Sequence, residues 1–153
     1  MSLDTVENRN WAYTLFPGLI NDPHFKITSP KDQKYNCIAW ANQHSDIWWW
    51  PYPSLDGVCE WPIPDHNSHE STLIALFESR GFILCDDWQF DKAFVKVALY
   101  VDNTGDFTHA ARQDRAGLWK SKLGPSFDIV HGSPQSIENQ TYGSAKHFMK
   151  SKF

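Results

Sequence analysis

The sequence predicts a single α+β domain in which helices precede a run of antiparallel strands. Segments with helix-capping residues occur before residue 81, whereas from Phe82 onward apolar and polar residues alternate as they do in strands. The chain has 153 residues, close to the usual size of one domain and long enough to bury a core without disulfides. Because no internal repeat or linker interrupts it, we treat residues 1–153 as one domain.

The first central helix is predicted over residues 36–44. Asn36 is a good N-cap, because its side chain can accept a hydrogen bond from a free backbone N–H of the first turn. Cys37 then occupies the first helical position. The segment that follows, residues 46–65, is rich in proline and contains the Trp-Trp-Trp run at 48–50. Prolines at this density exclude a regular helix and predict an ordered loop.

A second central helix is predicted over residues 68–80. Asn67 with Glu70 three residues later has the pattern of a capping box, and Gly81 ends the helix. A shorter N-terminal helix is expected over residues 10–16.

Strands are predicted mainly in the second half of the chain. Five of them form the expected antiparallel sheet of about five strands, with turns at or near glycines. They lie near residues 82–85, 93–101, 107–112, 118–123 and 127–131. A short strand is also expected near residues 24–28, and a short final helix is expected from Ser133, because Pro134 suits its first position.

Composition excludes several classes of protein. The chain has 14 basic and 18 acidic residues, so its net charge of -4 leaves no basic surface for nucleic acid or an anionic membrane. No apolar run approaches the ~18 residues of a membrane span. The first residues lack the pattern of a signal peptide, and three cysteines without zinc-finger spacing indicate a reducing compartment. We therefore expect a cytoplasmic protein without a metal or cofactor.

Cys37 is the residue that most strongly suggests chemistry. The thiolate is the nucleophilic form of cysteine, and the N–H groups and dipole of a helix start stabilise a negative charge. We therefore expect the pKa of Cys37 to be lowered, and the adjacent N–H groups to stabilise an oxyanion. A nucleophilic cysteine also needs an imidazole that takes and returns a proton.

His109 is the histidine best placed to be that partner. Strand alternation puts Phe107, His109 and Ala111 on one face. A turn over residues 113–117 would place His109 directly opposite Ser121, which could then fix the imidazole tautomer. Each residue alone also has a structural explanation, because cysteine is among the most buried residue types and a single strand histidine is commonly a hydrogen-bonded core residue.

The order of these residues resembles the papain-like arrangement, particularly its compact bacterial forms, the cell-wall peptide hydrolases and amidases. An uncharacterised bacterial family has similar stretches to Tyr-Asn-Cys-Ile-Ala-Trp-Ala (35–41), Thr-His-Ala-Ala-Arg-Gln (108–113), Trp-Lys-Ser-Lys-Leu-Gly (119–124) and Ile-Val-His (129–131). The resemblance implies a papain-like core with Cys37 as nucleophile and His109 as base. Ser121 stands where papain-like enzymes usually have Asn, Gln, Asp or His, and Asp128 and His131 are the alternatives.

The expected function is therefore a thiol hydrolase that cuts an amide bond in a peptide or peptidoglycan-like substrate through an acyl-thioester. The main alternative is a non-catalytic binding module that holds a ligand with its tryptophan-rich loop. A role in a toxin–antitoxin system or as an effector would leave no mark in the sequence.

Overall fold

A computed structural model of the chain describes residues 3–29, 36–41, 48–51, 59–65, 67–123 and 127–152. These residues form three α-helices, nine strands and two 3₁₀ turns. The helices are α1 (Val6–Leu15), α2 (Cys37–Ala41) and α3 (Glu70–Ser79), and the 3₁₀ turns are Pro17–Asn21 and Pro134–Ile137. The strands are β1 (Lys26–Ser29), β2 (Trp48–Trp49), β3 (Cys59–Glu60), β4 (Ile83–Cys85), β5 (Phe94–Val101), β6 (Phe107–Gln113), β7 (Trp119–Lys122), β8 (Asp128–His131) and β9 (Ser144–Lys152).

Seven of the strands form one antiparallel sheet, in the order β1-β8-β7-β6-β5-β9-β4. The α+β class and the antiparallel sheet are thus confirmed, but the sheet is larger than the predicted five strands. The five strands predicted after Phe82 correspond to β4 to β8, and the short strand predicted near 24–28 corresponds to β1. The sequence does not predict β9, because only Met149 of its nine residues is buried and its alternation is weak.

The start of α2 agrees with the prediction, while its predicted end at residues 42–44 lies outside the described residues. The Asn36 side chain binds the backbone of β2 with both of its polar atoms. Its Nδ2 donates to the carbonyl of Trp49 at 2.6 Å, and its Oδ1 accepts from the Trp49 N–H at 3.1 Å. Asn36 therefore holds β2 against the start of α2.

The start of α3 differs from the predicted capping box. The helix begins at Glu70, and the ring of His69 accepts from the Ser71 N–H at 3.2 Å as its N-cap. Asn67 instead accepts from the His69 N–H and the Thr72 hydroxyl, which orders the turn before the helix. The carboxylate of Glu70 is used elsewhere, because it pairs with Lys146 and His147 of β9.

The ends of the chain also differ from the predictions. Helix α1 begins four residues earlier than expected, because Thr5 caps it by accepting from the Asn8 N–H. The final segment predicted as a helix is the 3₁₀ turn Pro134–Ile137, and β9 follows it. In the part of the chain that the structure describes, no helix is both long enough and apolar enough to cross a membrane.

The sheet separates two clusters of buried apolar residues. Helices α2 and α3 contribute to the first cluster, which includes Cys37, Leu99 and Ala110. Helix α1 contributes to the second cluster, which includes Tyr100 and Ala111. Because successive side chains of a strand point to opposite faces, His109 shares its face with its cross-strand partner Tyr100 rather than with Ala110. The predicted grouping of Phe107 with His109 and Ala111 is wrong for Phe107, which packs in the first cluster because a bulge interrupts the β5–β6 ladder between Tyr100 and Val101.

Candidate functional site

A chain of hydrogen bonds joins three neighbouring strands on the Tyr100 face of the sheet. Nε2 of His109 in β6 lies 3.0 Å from Oγ of Ser121 in β7. The same Oγ lies 2.8 Å from Nε2 of His131 in β8, and Nδ1 of His131 lies 2.8 Å from the carbonyl oxygen of Ser133. His109, Ser121 and His131 are fully buried, so this polar chain is shielded from water.

Burial keeps both rings of this chain neutral. It lowers the pKa of His131 to about 4, although the Ser133 carbonyl and the Asp22 carboxylate favour the charged form. Burial likewise lowers the pKa of His109 well below its ordinary value, and the neighbouring His131 adds to the effect. An imidazole that is neutral carries a proton on only one of its two nitrogens.

The partners of the chain determine which nitrogen that is. A carbonyl oxygen only accepts, so Nδ1 of His131 carries the proton and its Nε2 is the acceptor. The Ser121 hydroxyl therefore donates to His131 and accepts from the Nε2–H of His109. Nδ1 of His109 is consequently unprotonated, and it has no hydrogen-bond partner among the described residues. The assignment of these protons follows from the network alone.

The His109–Ser121 contact arises from a different strand register than predicted. The ladder pairs Arg112 with Lys120 and Gln113 with Trp119, and its continuation places Ala111 opposite Ser121. The predicted pairing of His109 with Ser121 is therefore wrong by two residues. A shift of two residues leaves every side chain on its original face, so the two residues still meet diagonally.

The turn explains this shift. Asp114 accepts from Leu118 through its side chain and donates to the Leu118 carbonyl through its backbone, so the connection spans 114–118 rather than 113–117. Gly117 takes a φ of 87°, a left-handed conformation that favours glycine. Moving the centre of a hairpin turn by one residue changes the register by two.

Cys37 lies on the other face of the sheet, at the start of α2. Its side chain is 5% exposed and belongs to the apolar cluster of Leu99 and Ala110. Burial raises the pKa of the Cys37 thiol to about 11, although the backbone N–H groups of Ala110 and Ile38 and the charge of Lys122 favour the thiolate. The expected lowering of this pKa is therefore wrong, because loss of hydration outweighs the stabilisation from a helix of one turn.

Cys37 packs against β6 next to His109, but no hydrogen bond between the two side chains is observed among the described residues. One of the backbone N–H groups that favour the Cys37 thiolate belongs to Ala110, the residue next to His109. The ring of Tyr142 stacks on His109 with 4.4 Å between the ring centres, and burial together with the neighbouring Cys37 raises the pKa of Tyr142. Tyr142 is thus near both residues.

Residues 26–150 match a protein family that is described as a domain of unknown function (DUF7689). The chain belongs to the DUF7689 family. No curated protein and no solved structure matches the chain. The DUF7689 match includes Cys37, His109, Ser121 and His131, whereas α1 and Asp22 precede it.

The two alternative third residues have different positions in this DUF7689 domain. His131 continues the hydrogen-bonded chain through Ser121, so it is hydrogen-bonded to His109 only through that serine. Oδ1 of Asp128 lies 3.9 Å from Nζ of Lys122. Ser121 is therefore the residue that contacts His109 directly. The ring of Tyr142 was not predicted, because it reaches the site from a turn 33 residues beyond His109 and no local pattern indicates it.

The tryptophan run of the DUF7689 domain is divided between core and surface. Trp49 is 4% exposed and packs in the same cluster as Cys37. Trp50 is partly buried with its ring centre 5.4 Å from that of Phe107, and Trp61 stacks on the same ring at 5.7 Å. The side chain of Trp48 and residues 52–58 lie outside the described part of the structure.

Proposed function

We propose that the protein is a thiol hydrolase that cleaves an amide bond in a peptide or peptidoglycan-like substrate. Cys37 is the nucleophile, His109 the acid and base, and Ser121 the orienting residue of a papain-like core. The observation that carries the proposal is the buried Nδ1 of His109, which has no hydrogen-bond partner among the described residues and lies one residue from Ala110, whose backbone N–H favours the Cys37 thiolate. A base with a lone pair held in one tautomer is what a neutral thiol requires.

In this mechanism the proton moves while the sulfur attacks. The thiol and the imidazole are both neutral at rest, since burial raises the pKa of one and lowers the pKa of the other. As the sulfur bonds to the carbonyl carbon, Nδ1 of His109 takes the thiol proton, and the resulting imidazolium returns it to the leaving amine. Water then attacks the thioester with His109 as base and releases the acid and the free thiol.

The hydrogen-bonded chain keeps His109 ready for this transfer. While Ser121 accepts from Nε2–H, the ring cannot rotate away or shift its proton to Nδ1. The support for a peptidoglycan-like substrate is the resemblance of the Cys37 and His109 motifs to those of cell-wall peptide hydrolases. Cys37 is 5% exposed and lies on the opposite face of the sheet from His109. The mechanism therefore requires that substrate binding uncover the sulfur and bring it to Nδ1 of His109.

The experiment is hydrolysis of a panel of muropeptides and an unfolded protein, followed by mass spectrometry. Cys37→Ala and His109→Gln should each lower kcat/KM by about 10³-fold or more, as expected for the nucleophile and the base. Cys85→Ala is the matched control. Cys85 lies on β4, away from the hydrogen-bonded chain of His109 and Ser121, so this variant should retain full activity. An acyl adduct on Cys37 in quenched reactions would support the thioester, whereas hydrolysis that survives Cys37→Ala would refute the proposal.

The burial of Cys37 favours a second candidate, a binding module that uses the tryptophan-rich segment. Trp50 and Trp61 are only partly buried and flank Phe107, so their rings can stack on a ligand. Titration of tryptophan fluorescence with muropeptides distinguishes the candidates. Saturable quenching that is equal in wild type and Cys37→Ala, without turnover in either, would favour the binding module.

A further inference from the structure

Asp22 lies at the outer end of the histidine chain, between the first 3₁₀ turn and β1. Its carboxylate accepts three hydrogen bonds. Oδ2 accepts from the Gly132 N–H at 2.7 Å and from the Ser136 hydroxyl at 2.6 Å, while Oδ1 accepts from the His24 N–H at 2.9 Å. Burial alone would raise the pKa of Asp22, but these bonds and the nearby His131 hold it below its ordinary value.

Gly132 and Ser136 enclose the segment that contains the partner of His131. Ser133, whose carbonyl accepts from Nδ1 of His131, lies between them, and its hydroxyl is 3.1 Å from that of Ser136. One carboxylate therefore holds the backbone immediately before Ser133 and a side chain three residues after it. The Ser133 carbonyl also accepts from the Ser136 N–H at 3.3 Å, so Asp22 holds both ends of the turn that fixes this carbonyl.

The fit at Gly132 is close. A Cβ at this position would lie 2.9 Å from Cδ2 of His24 and 3.0 Å from Oδ1 of Asp22, so a larger residue would have to displace one of these two side chains. The same residues line a cavity of about 230 Å³ that opens to the surface. The Asp22 end of the hydrogen-bonded chain is thus within reach of solvent, whereas His109 and Ser121 are not.

We propose that Asp22 is a positioning residue that sets which atoms donate and which accept along the hydrogen-bonded chain from Ser133 to His109. By holding the Ser133 carbonyl against Nδ1 of His131, it makes Nε2 of His131 the acceptor for Ser121. Without that hold, His131 can place its proton on Nε2 and donate to Ser121. Ser121 then donates to Nε2 of His109, and the proton of His109 moves to Nδ1.

This reversal has a chemical consequence that rests on the proposed function. A His109 protonated on Nδ1 has no lone pair there and cannot accept the thiol proton. The effect on tautomers does not depend on catalysis, so it can be measured in the resting protein. Asp22 has no hydrogen bond to Cys37 or His109 among the described residues. It holds Ser133 through Gly132 and Ser136, and its effect reaches His109 through His131 and Ser121.

The test is the protonation pattern of the His109 and His131 rings, read from imidazole ¹⁵N shifts of the full chain. Wild type should show Nε2–H on His109 and Nδ1–H on His131. Asp22→Ala should give comparable amounts of both tautomers on each ring. The separate variant Asp22→Asn should keep the wild-type pattern, because its amide oxygen can still accept from Gly132 and Ser136. Asp86→Ala, at an exposed aspartate on another part of the surface, is the control and should change neither ring.

A folded Asp22→Ala protein with the wild-type pattern would overturn the proposal, and so would an Asp22→Asn protein that behaves like Asp22→Ala. If Asp22→Ala does not fold, Ser136→Ala removes one of the two attachments and should shift the tautomers in the same direction. An unchanged pattern in that variant would also refute the role of Asp22. Absence of hydrolysis by the wild type would refute the proposed function but leave this result interpretable.

Discussion

His109 and Ser121 are joined by a hydrogen bond of 3.0 Å although the strand ladder does not place them opposite each other. The contact is diagonal and depends on the shared face of two neighbouring strands. The same hydroxyl also binds His131, so one serine connects two buried imidazoles. The properties of these rings lead to predictions about stability as well as reactivity.

Removal of the Ser121 hydroxyl should destabilise the fold. Ser121→Ala leaves the Nε2–H of His109 and the Nε2 acceptor of His131 buried without a partner, which should cost about 2–4 kcal/mol for the two groups together. The free energy of unfolding from urea titration measures this loss. Ser144→Ala, at an exposed position of β9, is the matched control and should change stability by less than about 0.5 kcal/mol. Equal effects of the two substitutions would contradict a buried hydrogen-bonded chain through Ser121.

Stability should fall as the pH is lowered from about 6.5, the ordinary pKa of histidine, towards 4.5. The pKa of His131 is lowered to about 4 and that of His109 is also lowered, so below pH 6.5 the unfolded chain binds more protons than the native chain. Each histidine then contributes a slope of up to about 1.4 kcal/mol per pH unit. The free energy of unfolding across this range checks the slope.

The matched variant for that measurement is His109→Gln, whose amide can still donate to Ser121. Its slope between pH 6.5 and 4.5 should be shallower than that of the wild type by the contribution of one histidine. Aspartates with lowered pKa values, such as Asp22, lose their stabilisation as the pH falls through still lower values, so they contribute mainly below this window. A wild-type free energy of unfolding that is constant over the window would contradict this prediction, because it would mean that the native and unfolded chains bind equal numbers of protons.

Cys37 should be the slower of the two described thiols towards iodoacetamide at neutral pH. Its pKa is raised to about 11 and its side chain is almost fully covered, whereas Cys85 is partly exposed. Alkylation rates against pH, with the modified residue located by mass spectrometry, compare the two. The Cys37 rate should still be rising at pH 10. Rapid modification of Cys37 at pH 7 would mean that the resting site is open and that its thiolate is stabilised.

Trp49 should behave as a core residue. Its ring packs with Cys37, and its backbone is held by Asn36, so Trp49→Ala should lower the free energy of unfolding by about 3–5 kcal/mol. Trp50→Ala should have a smaller effect, because Trp50 is only partly buried. Urea titration of both variants provides the comparison, and a larger loss for Trp50→Ala would contradict this division of the tryptophan run.

The success of the strand predictions has a local cause. Alternation over 82–131 indicates which residues share a face, except at Phe107, where a bulge reverses it. This parity survives an error of two residues in the register, so the His109–Ser121 contact is predictable from the sequence. The pKa of Cys37 is not. The helix-start argument considers only neighbouring residues, whereas the burial that raises the pKa comes from the packing of α2 against β6, more than 60 residues away.

The sequence by itself determined the α+β class, the positions of the strands from β4 to β8 and the faces of their side chains apart from Phe107, because these depend on periodicity within short segments. Only the tertiary structure decided that β1 pairs with β8, that β9 lies between β4 and β5, and that Asp22 binds Gly132, 110 residues away. It also decided the protonation of the site. Desolvation and hydrogen-bond direction depend on which distant groups surround a side chain, and no local pattern in the sequence encodes that environment.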